Sequence, residues 1–379
     1  MNSSIIVGFD AKRIVRNNTG LGSYGRTLIR GLAYQPDSLR LRLYAPDHGH
    51  DQLRSQVEGL PRVTLCYPKA TFLPFDKALW RDHGIVRDLK KDRVQVFHGL
   101  SGELPRGIRR SGIRSVVTIH DLIFLRHPEF YPWIDAKIYA WKFRRTLKEA
   151  DHIIAISECT RRDVLELGDV DPSLVSVVYQ SCAPRFSKTP SPVEQEQVRL
   201  KYGLPKRFIL NVGTIEQRKN ILLAVKALEA LPSDLSLAIV GRHTPYTNQV
   251  LEYISSHGLH RRVFILHDVP DADLPSLYAQ AEVFVYSSVY EGFGIPVIEA
   301  VSCGLPVVAC TGSCLEEAGG PDCLYVSPDD PEALADAIRQ SMKGAPDREE
   351  RIRRSQDYIR RFQGDDVASQ VTAIYRHLL

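Results

Sequence analysis

The sequence lacks any long hydrophobic run. No apolar stretch among its 379 residues approaches the roughly 20 residues that a membrane-spanning helix requires. The N-terminal segment MNSSIIVGFDAKR has only a five-residue apolar patch, which is followed by charges. We therefore interpret it as a first buried strand and not as a signal peptide. These absences predict a protein that works in the cytoplasm.

The motifs of a metal or disulfide scaffold are missing as well. The seven cysteines are odd in number and form no Cys-x-x-Cys pair, and Cys310 and Cys314 have no histidine near them in the sequence. This pattern gives no indication of zinc. We expect reduced thiols, as in a cytosolic protein.

Charge is unevenly distributed along the chain. Residues 1–183 carry 28 Lys and Arg against 20 Asp and Glu, a net charge of +8, whereas the remainder carries 21 against 25, a net charge of −4. A basic first half suits an anionic membrane surface or a phosphorylated acceptor, and a solvated surface with a chance imbalance is the alternative. No nucleic-acid-binding motif accompanies the charge, so we expect no nucleic-acid partner.

The helix predicted from about Trp133 combines aromatic and basic residues, among them Trp141, Arg144 and Lys148. Such a helix is typical of a membrane surface. It is equally typical of a core helix whose long basic side chains reach solvent at the edges. We favour the core helix with a basic rim, and peripheral contact with the inner face of the cytoplasmic membrane stays open as the alternative.

Strand-like and helical segments alternate over most of the chain, which predicts parallel sheets covered by helices. The stretch APRFSKTPSP, rich in Pro and Ser, interrupts this alternation and predicts a linker. We therefore predict an N-terminal domain over 1–183, a linker over 184–192, a second α/β domain over 193–355 and a C-terminal helical segment over 356–379.

The most informative stretch is VFVYSSVYEGFGIPVIEAVSCGLPVVAC, residues 283–310, which predicts strand, glycine loop, helix, turn and strand. Pro296 suits the first turn of the helix and Gly304 its C-terminal end. Glu291 in the loop and Glu299 in the helix can reach opposite ends of a ligand lying across the helix N-terminus, where free N–H groups favour a diphosphate. On spacing alone, an ordinary βαβ unit with a surface Glu at each end is equally probable.

The segment EGFGIPVIEA resembles the Glu-x(7)-Glu signature of retaining, nucleotide-sugar-dependent glycosyltransferases of the GT-B fold, a large family that includes bacterial mannosyltransferases. The stretches TGLGSYGRTL, HDL, RKN and PDDPEALADAI extend this resemblance over nearly the whole chain. It implies an α/β fold with two Rossmann-like, doubly wound parallel-sheet domains facing across a cleft. The first would bind the acceptor and the second the nucleotide sugar, and the C-terminal helix would cross back to the first domain.

The resemblance also implies roles for individual residues. Glu299 would bind the ribose hydroxyls of the donor, and Glu291 would hold a hydroxyl or the reacting face of the donor sugar. Backbone N–H groups around Phe293, Gly294 and Ile295 would contact the sugar or the phosphate.

Two cations precede a helix in the second half, where positive residues are normally avoided. Arg218 and Lys219 would be explained there by a bound diphosphate, whose charge they would stabilise as it leaves, and a solvated pair on a turn is the alternative. The resembled family usually has an arginine where Thr214 stands, and the resemblance implies that Arg218 would take its place. The family usually has a proline where Leu315 stands. Gly213 and Gly241, each directly after a predicted strand, complete the predicted donor site.

The first half contributes a glycine pair and a histidine. Gly20 and Gly22 open a helix after a strand and loop, which is a phosphate-binding layout, although such glycines also serve turns that need positive φ. In the resembled family this pair sits where donor phosphate and acceptor meet. His120 ends a strand, where ligands bind in parallel sheets. The resemblance associates it with the transferred sugar, and a structural histidine is the alternative.

The resemblance implies transfer of a hexose from a nucleotide diphospho-sugar to a hydroxyl of a glycan or lipid-linked glycan, with retention of configuration and without a protein nucleophile. GDP-mannose is the first candidate donor, and a UDP- or dTDP-sugar is the alternative. No metal cofactor is expected, because no Asp-x-Asp pair ends a predicted strand and Asp329 with Asp330 suits a helix cap.

Two other classes of protein compete with this function. A non-catalytic sugar-binding relative would keep the fold without the reaction. A dinucleotide-binding oxidoreductase would use Gly20-x-Gly22-x-x-Gly25, but that pattern lies ten residues beyond the strand, and LRLYA lacks the expected acidic residue.

Overall fold

The computed structural model of the protein describes residues 4–36, 39–69, 74–362 and 366–379. These residues form two compact units. The first contains the described residues up to Gln180 together with the C-terminal helix, and the described residues of the second run from Ser181 to Phe362.

The first unit is built on a seven-stranded parallel sheet. Its strands are β1 (Ile6–Asp10), β2 (Arg40–Tyr44), β3 (Val63–Cys66), β4 (Val96–Gly99), β5 (Arg114–Ile119), β6 (His152–Ala155) and β7 (Val175–Val177). They pair in the order β3-β2-β1-β4-β5-β6-β7, so the order reverses beside β1. The central strands are buried and mainly apolar because helices cover both faces of the sheet.

The helices of this unit precede and follow those strands. They are α1 (Lys12–Arg16), α2 (Gly20–Tyr34), α3 (Asp51–Arg54), α4 (Pro74–Leu79), α5 (Ile85–Lys91), α6 (Ile123–Arg126), α7 (Trp133–Glu149) and α8 (Glu158–Gly168). Ser157 caps α8, since Thr160 N donates to Ser157 Oγ at 2.9 Å. Helix α1, anchored by buried Ile14 and Val15, occupies the predicted loop between β1 and Gly20. The glycine pattern therefore does not follow a strand directly, as a dinucleotide site would require.

The second unit repeats this plan with six parallel strands. They are β8 (Phe208–Val212), β9 (Ser236–Val240), β10 (Val263–Leu266), β11 (Phe284–Tyr286), β12 (Val307–Cys310) and β13 (Leu324–Val326), in the order β10-β9-β8-β11-β12-β13. Its helices are α9 (Pro192–Lys201), α10 (Ile221–Ala227), α11 (Pro245–Ser256), α12 (Leu274–Gln280), α13 (Ile295–Ser302), α14 (Leu315–Gly319), α15 (Pro331–Arg339) and α16 (Arg348–Ile359). Asp330 caps α15 as predicted, because its carboxylate accepts from Ala333 N at 2.8 Å.

The last helix, α17 (Asp366–His377), packs against α2 of the first unit. The hydroxyl of Tyr375 is buried and lies 2.6 Å from Nδ1 of His98 in β4. Gln35 Nε2, just past the end of α2, donates to Ser369 Oγ at 3.0 Å. The C-terminus thus contributes to the core of the first sheet.

The boundaries differ from those predicted from the sequence. Residues 181–183 belong to the second unit, and the predicted linker 184–192 is anchored there by Phe186, whose buried ring lies 5.7 Å from that of Tyr278. Helix α16 also stays in the second unit, so the segment 356–379 divides between the two. A Pro- and Ser-rich composition does not reveal one buried aromatic ring, which is why the contact of this segment with the second unit was not predicted.

The prediction that α7 is a core helix is also wrong in its first half. Trp133 is 66% exposed, Ile134 54%, Ile138 45% and Trp141 51%. Ala136 and Phe143, on the opposite face, carry the packing instead. In the described part of the chain no helix is long and apolar enough to cross a bilayer.

Candidate active site

The candidate site lies in the second unit, where the strand order reverses between β8 and β11. In doubly wound sheets ligands bind outside the carboxyl ends of the strands at such a point. The loops that follow the two strands are joined there, because Val289 N donates to Arg218 O at 2.8 Å and Ser287 Oγ donates to Lys219 O at 3.0 Å. These bonds bring the turn at residues 218–220 beside the glycine loop.

Three of the predicted residues meet at this junction. Lys219 Nζ donates to Glu291 Oε1 at 2.5 Å, and Arg218 Nη1 donates to Glu291 Oε2 at 2.9 Å. Glu291 is only 8% exposed, so both cations are held against a buried carboxylate. Glu216 pairs with the other end of Arg218 at 2.7 Å. Lys219 also donates to the hydroxyl of Tyr286, the last residue of β11, at 2.5 Å.

The charges of this cluster are set by one another. Burial alone would raise the pKa of Glu291, but Lys219 and Arg218 outweigh it and lower the pKa to about 2. Burial lowers the pKa of Lys219, and Glu291 opposes that shift. A carboxylate that stays ionised at neutral pH therefore holds the two cations at the ends of the strands, where an arriving diphosphate would compete for them.

The glycine loop starts α13 through an unusual backbone conformation. Gly294 is the N-cap with φ +116°, and a Cβ there would stand 3.0 Å from Leu315 Cδ2, so only glycine fits. In the described chain the N–H groups of Gly294 and Ile295 have no acceptor, which leaves them available to an anion at the helix N-terminus. The ring of Phe293 is buried 5.2 Å from that of Phe362, so any contact that Phe293 makes with a ligand comes from its backbone.

A cysteine that was not predicted to belong to the site fixes this loop. The thiol of Cys314 lies 3.1 Å from the carbonyl oxygen of Glu291 and 2.8 Å from that of Phe293. Cys314 is fully buried at the start of α14. Its only sequence signal was its place one residue before Leu315 in TGSCLEE, where the loop between β12 and α14 returns to the site.

Glu299 is not part of the cationic cluster. It lies in the second turn of α13, where Tyr278 OH donates to its Oε2 at 3.0 Å. Burial raises the pKa of Glu299 to about 7, although the hydrogen bond from Tyr278 opposes the shift. The two glutamates of the signature therefore differ in charge state near neutral pH, since Glu291 is ionised and Glu299 is about half protonated.

The two predicted strand-end glycines allow the backbone to come close. A Cβ on Gly241 would stand 2.0 Å from the carbonyl oxygen of Gly213. The turns after β8 and β9 therefore require glycine at position 241. A Cβ on Gly213 would lie 3.7 Å from Lys219 Cε. Both glycines thus allow the backbone turns after β8 and β9 to pack closely beside Lys219.

Three predicted residues lie in the first unit. Gly20 opens α2, and a Cβ there would have no neighbour within 4 Å in the described chain, whereas a Cβ on Gly22 would stand 1.8 Å from Asn17 O. His120 Nε2 donates to Leu100 O at 2.8 Å, which leaves Nδ1 to accept from Gln180 Nε2 at 3.1 Å. Burial lowers the pKa of His120 to about 4, so the ring is neutral at physiological pH.

The structure therefore gathers Glu291, Arg218 and Lys219 into one cluster beside the start of α13. Glu299 lies one to two turns along the same helix, with its own partner. His120, Gly20 and Gly22 belong to the first unit. Over the described residues, no group of three or more His, Cys, Asp or Glu side chains is arranged to hold a metal ion.

Two doubly wound parallel sheets, one with an anion-suited loop at its switch point, define a two-domain nucleotide-binding architecture. Residues 194–358 match the family model described as Glycosyl transferases group 1, and residues 19–181 match that of Glycosyltransferase Family 4. The chain belongs to the glycosyltransferases of the GT-B fold.

Relatives and solved structures agree with this membership. The chain is 29% identical to O-antigen chain mannosyltransferase B of Escherichia coli over 95% of this chain and 96% of that one. It is 30% identical to the alpha-maltose-1-phosphate synthase of Mycolicibacterium smegmatis over 74% and 76%. The structure of HepE of Anabaena with UDP and glucose shares the fold, with a TM-score of 0.75 at 18% identity over 98% and 99%. These similarities support a glycosyltransferase of polysaccharide biosynthesis.

Proposed function

We propose that the protein transfers a hexose from a nucleotide diphospho-sugar to a hydroxyl of a glycan or lipid-linked glycan, with retention of anomeric configuration. The observation that carries this proposal is the pairing of Arg218 and Lys219 with Glu291 beside the free N–H groups that start α13. Mannose from GDP-mannose is the first candidate, because the Escherichia coli relative is named a mannosyltransferase. A UDP- or dTDP-sugar is the alternative donor.

In the proposed pose of the donor, each of its parts meets a group of matching charge or hydrogen-bonding capacity. Glu299 accepts hydrogen bonds from the ribose hydroxyls, and the diphosphate lies at the N–H groups of Gly294 and Ile295. Lys219 and Arg218 turn toward the diphosphate, since their ammonium and guanidinium groups bear the charge that it needs. Glu291 then pairs less closely with these cations and accepts a hydrogen bond from a hydroxyl of the donor sugar.

The proposed reaction exchanges one bond at the anomeric carbon. The bond to the diphosphate oxygen breaks, and the acceptor oxygen forms its bond on the same face of the sugar. The acceptor proton passes to the leaving phosphate, so no protein nucleophile is required. Lys219 and Arg218 stabilise the charge that grows on the diphosphate, and we propose that His120 contacts a sugar hydroxyl. The glycines Gly20 and Gly22 would border the meeting point of phosphate and acceptor.

The first test is a thermal-shift screen with GDP-mannose, UDP-glucose and a dTDP-hexose, because a ligand that binds the native state raises its stability. We expect one nucleotide to raise the melting temperature of the wild type and not that of Glu299→Ala. Release of nucleotide without acceptor separates an enzyme from a non-catalytic sugar-binding protein. Nuclear magnetic resonance of the product then reads the anomeric configuration, and an inverted product contradicts retention.

We also propose that the reaction needs no divalent metal. The cations Arg218 and Lys219 supply the positive charge that a metal would otherwise bring to the diphosphate. Turnover measured in EDTA should equal turnover in buffer alone. Activity that EDTA abolishes and magnesium restores contradicts this part of the proposal.

Peripheral contact with an anionic membrane is a further part of the proposed function. Trp133, Ile134, Ile138 and Trp141 lie exposed on one face of α7. Lys137, Arg144 and Lys148 are exposed on the same helix, together with the acidic Asp135. Exposed aromatic and aliphatic side chains among basic ones suit the interface of an anionic bilayer, which would keep the enzyme at the inner face of the cytoplasmic membrane.

A further inference from the structure

A second charged cavity lies wholly within the first unit, at the reversal point of its sheet. It is bordered by Asp10 at the end of β1 and Phe97 in the neighbouring strand β4, and its volume is about 750 Å³. This place in the first sheet corresponds to the place of the donor site in the second. A volume of this size accommodates a small-molecule ligand.

The lining carries more positive than negative charge. It contains seven Lys and Arg side chains and four Asp and Glu side chains, so three positive charges remain after pairing. Asp82 is shared by two of these cations, Arg106 at 2.9 Å and Arg145 at 2.6 Å. Among the described residues, Arg145 Nε is buried without an acceptor. This group therefore keeps one uncompensated charge and one unused donor.

A second group of the same composition stands across the lining. Asp47 accepts from Lys77 Nζ at 3.1 Å and pairs with Arg16. Here again one carboxylate is shared by two cations. One positive charge is left over for a ligand, because an ion pair that is already formed neutralises only one of the two.

The third excess charge is the ammonium group of Lys12. The adjacent carboxylates are already paired, since Arg81 bridges Asp10 and Glu103 at 2.5 Å each and Lys142 adds a contact of 3.0 Å to Glu103. Lys12 Nζ has no hydrogen-bond or ion-pair partner in the described part of the chain. Burial lowers the pKa of Lys12, and Arg81 lowers it further, as expected where positive potential accumulates.

We propose that this cavity binds the phosphate or diphosphate group of the acceptor, with Lys12 as its primary contact. The inference rests on the proposed transferase function, which supplies an acceptor for the first unit. Three excess cations suit a multiply charged anion better than a single carboxylate. Trp141, half exposed on the lining between Arg106 and Arg145, offers an aromatic ring against which the attached sugar packs.

The test is calorimetric titration of the full-length protein with inorganic pyrophosphate, in a Lys219→Met background that removes the main cation of the donor site. We expect one remaining site, which Lys12→Met weakens about tenfold, the loss of one charge-assisted hydrogen bond. Lys91→Met is the matched control: it removes an exposed charge of the same unit, at the end of α5 and outside the cavity. Lys77→Met is a second variant, expected to weaken binding in the same direction.

Equal affinity in the Lys12→Met and parent proteins overturns the proposal, and so does an equal loss in Lys91→Met. A second titration, of nucleotide sugar into the wild type and into Lys219→Met, separates the two proposals. Loss of nucleotide-sugar binding in Lys219→Met reports the donor site alone. Neutral vesicles carrying a polyprenyl diphosphate identify the source of the phosphate. Lys12-dependent capture of vesicles assigns a lipid-linked acceptor, and Lys12-dependent binding of pyrophosphate without vesicle capture assigns a soluble one.

Discussion

Donor binding is expected to depend on the ionisation of Glu299. The proposed contact with the ribose requires the carboxylate, because a carboxylate accepts from both hydroxyls whereas a protonated acid has one oxygen that donates. Burial raises the pKa of Glu299 to about 7. Below pH 7, Glu299 of the free protein is mostly protonated. Donor binding must then release a proton, so it weakens as the pH falls.

The size of the effect follows from this pKa. Between pH 8 and pH 6 the ionised fraction of Glu299 falls about tenfold, which corresponds to about 1.4 kcal/mol of binding free energy. With an ordinary carboxyl pKa the ionised fraction would remain nearly constant over the same interval. The dissociation constant of the nucleotide sugar should therefore rise about tenfold from pH 8 to pH 6. The diphosphate of a nucleotide sugar is esterified at both ends and does not titrate in this interval.

Calorimetry at several pH values measures this change, and two variants isolate its cause. Glu299→Gln should bind more weakly and show no dependence on pH between 6 and 8. Tyr278→Phe removes the hydrogen bond that opposes the shift, so the midpoint of the pH dependence should move to higher pH. A flat profile in the wild type refutes the reasoning. A profile that persists in Glu299→Gln assigns the effect to another group.

Three further predictions concern turnover, packing and the exposed helix. Lys219→Met should lower kcat by about a hundredfold or more, since it removes a cation from the leaving diphosphate, whereas Lys206→Met, an exposed lysine of the same unit, should not change kcat in the same transfer assay. Gly22→Ala should destabilise the fold by more than about 2 kcal/mol in denaturant unfolding because of its contact with a backbone carbonyl, and an equal loss in Gly20→Ala, where a Cβ would meet no described atom, would show that the contact is not the cause. Trp133→Ser should reduce sedimentation with anionic vesicles without lowering the melting temperature, because its ring is 66% exposed; unchanged sedimentation argues against contact through α7.

Local features were predictable because their causes are local. Pro296 lies in the first turn of α13 and Gly304 follows its end with φ +74°, as the sequence indicated. The cap formed by Asp330 was also predicted correctly. In each case a side chain or a backbone conformation acts on residues three or four positions away, and that distance is visible in the sequence.

Other features depended on contacts between distant segments. The sequence placed Arg218 and Lys219 before a helix and Glu291 in a loop, but their pairing requires β8 and β11 to be neighbours. The thiol of Cys314 reaches the glycine loop only through the return of the chain after β12. The exposure of Trp133 depends on which face of α7 the sheet covers, and a mixed aromatic and basic pattern does not decide that.

The sequence by itself determined the alternation of buried strands and helices, the family resemblance and the residue types of the donor site. These depend on hydrophobic period, turn residues and one continuous motif. Tertiary structure decided the charge states of Glu291 and Glu299. Two cations of the turn after β8 lower the pKa of Glu291, whereas burial raises that of Glu299. It also decided which lysine at the cavity is left unpaired, since the ion pairs of Arg81 with Asp10 and Glu103 leave Lys12 without a partner in the described chain.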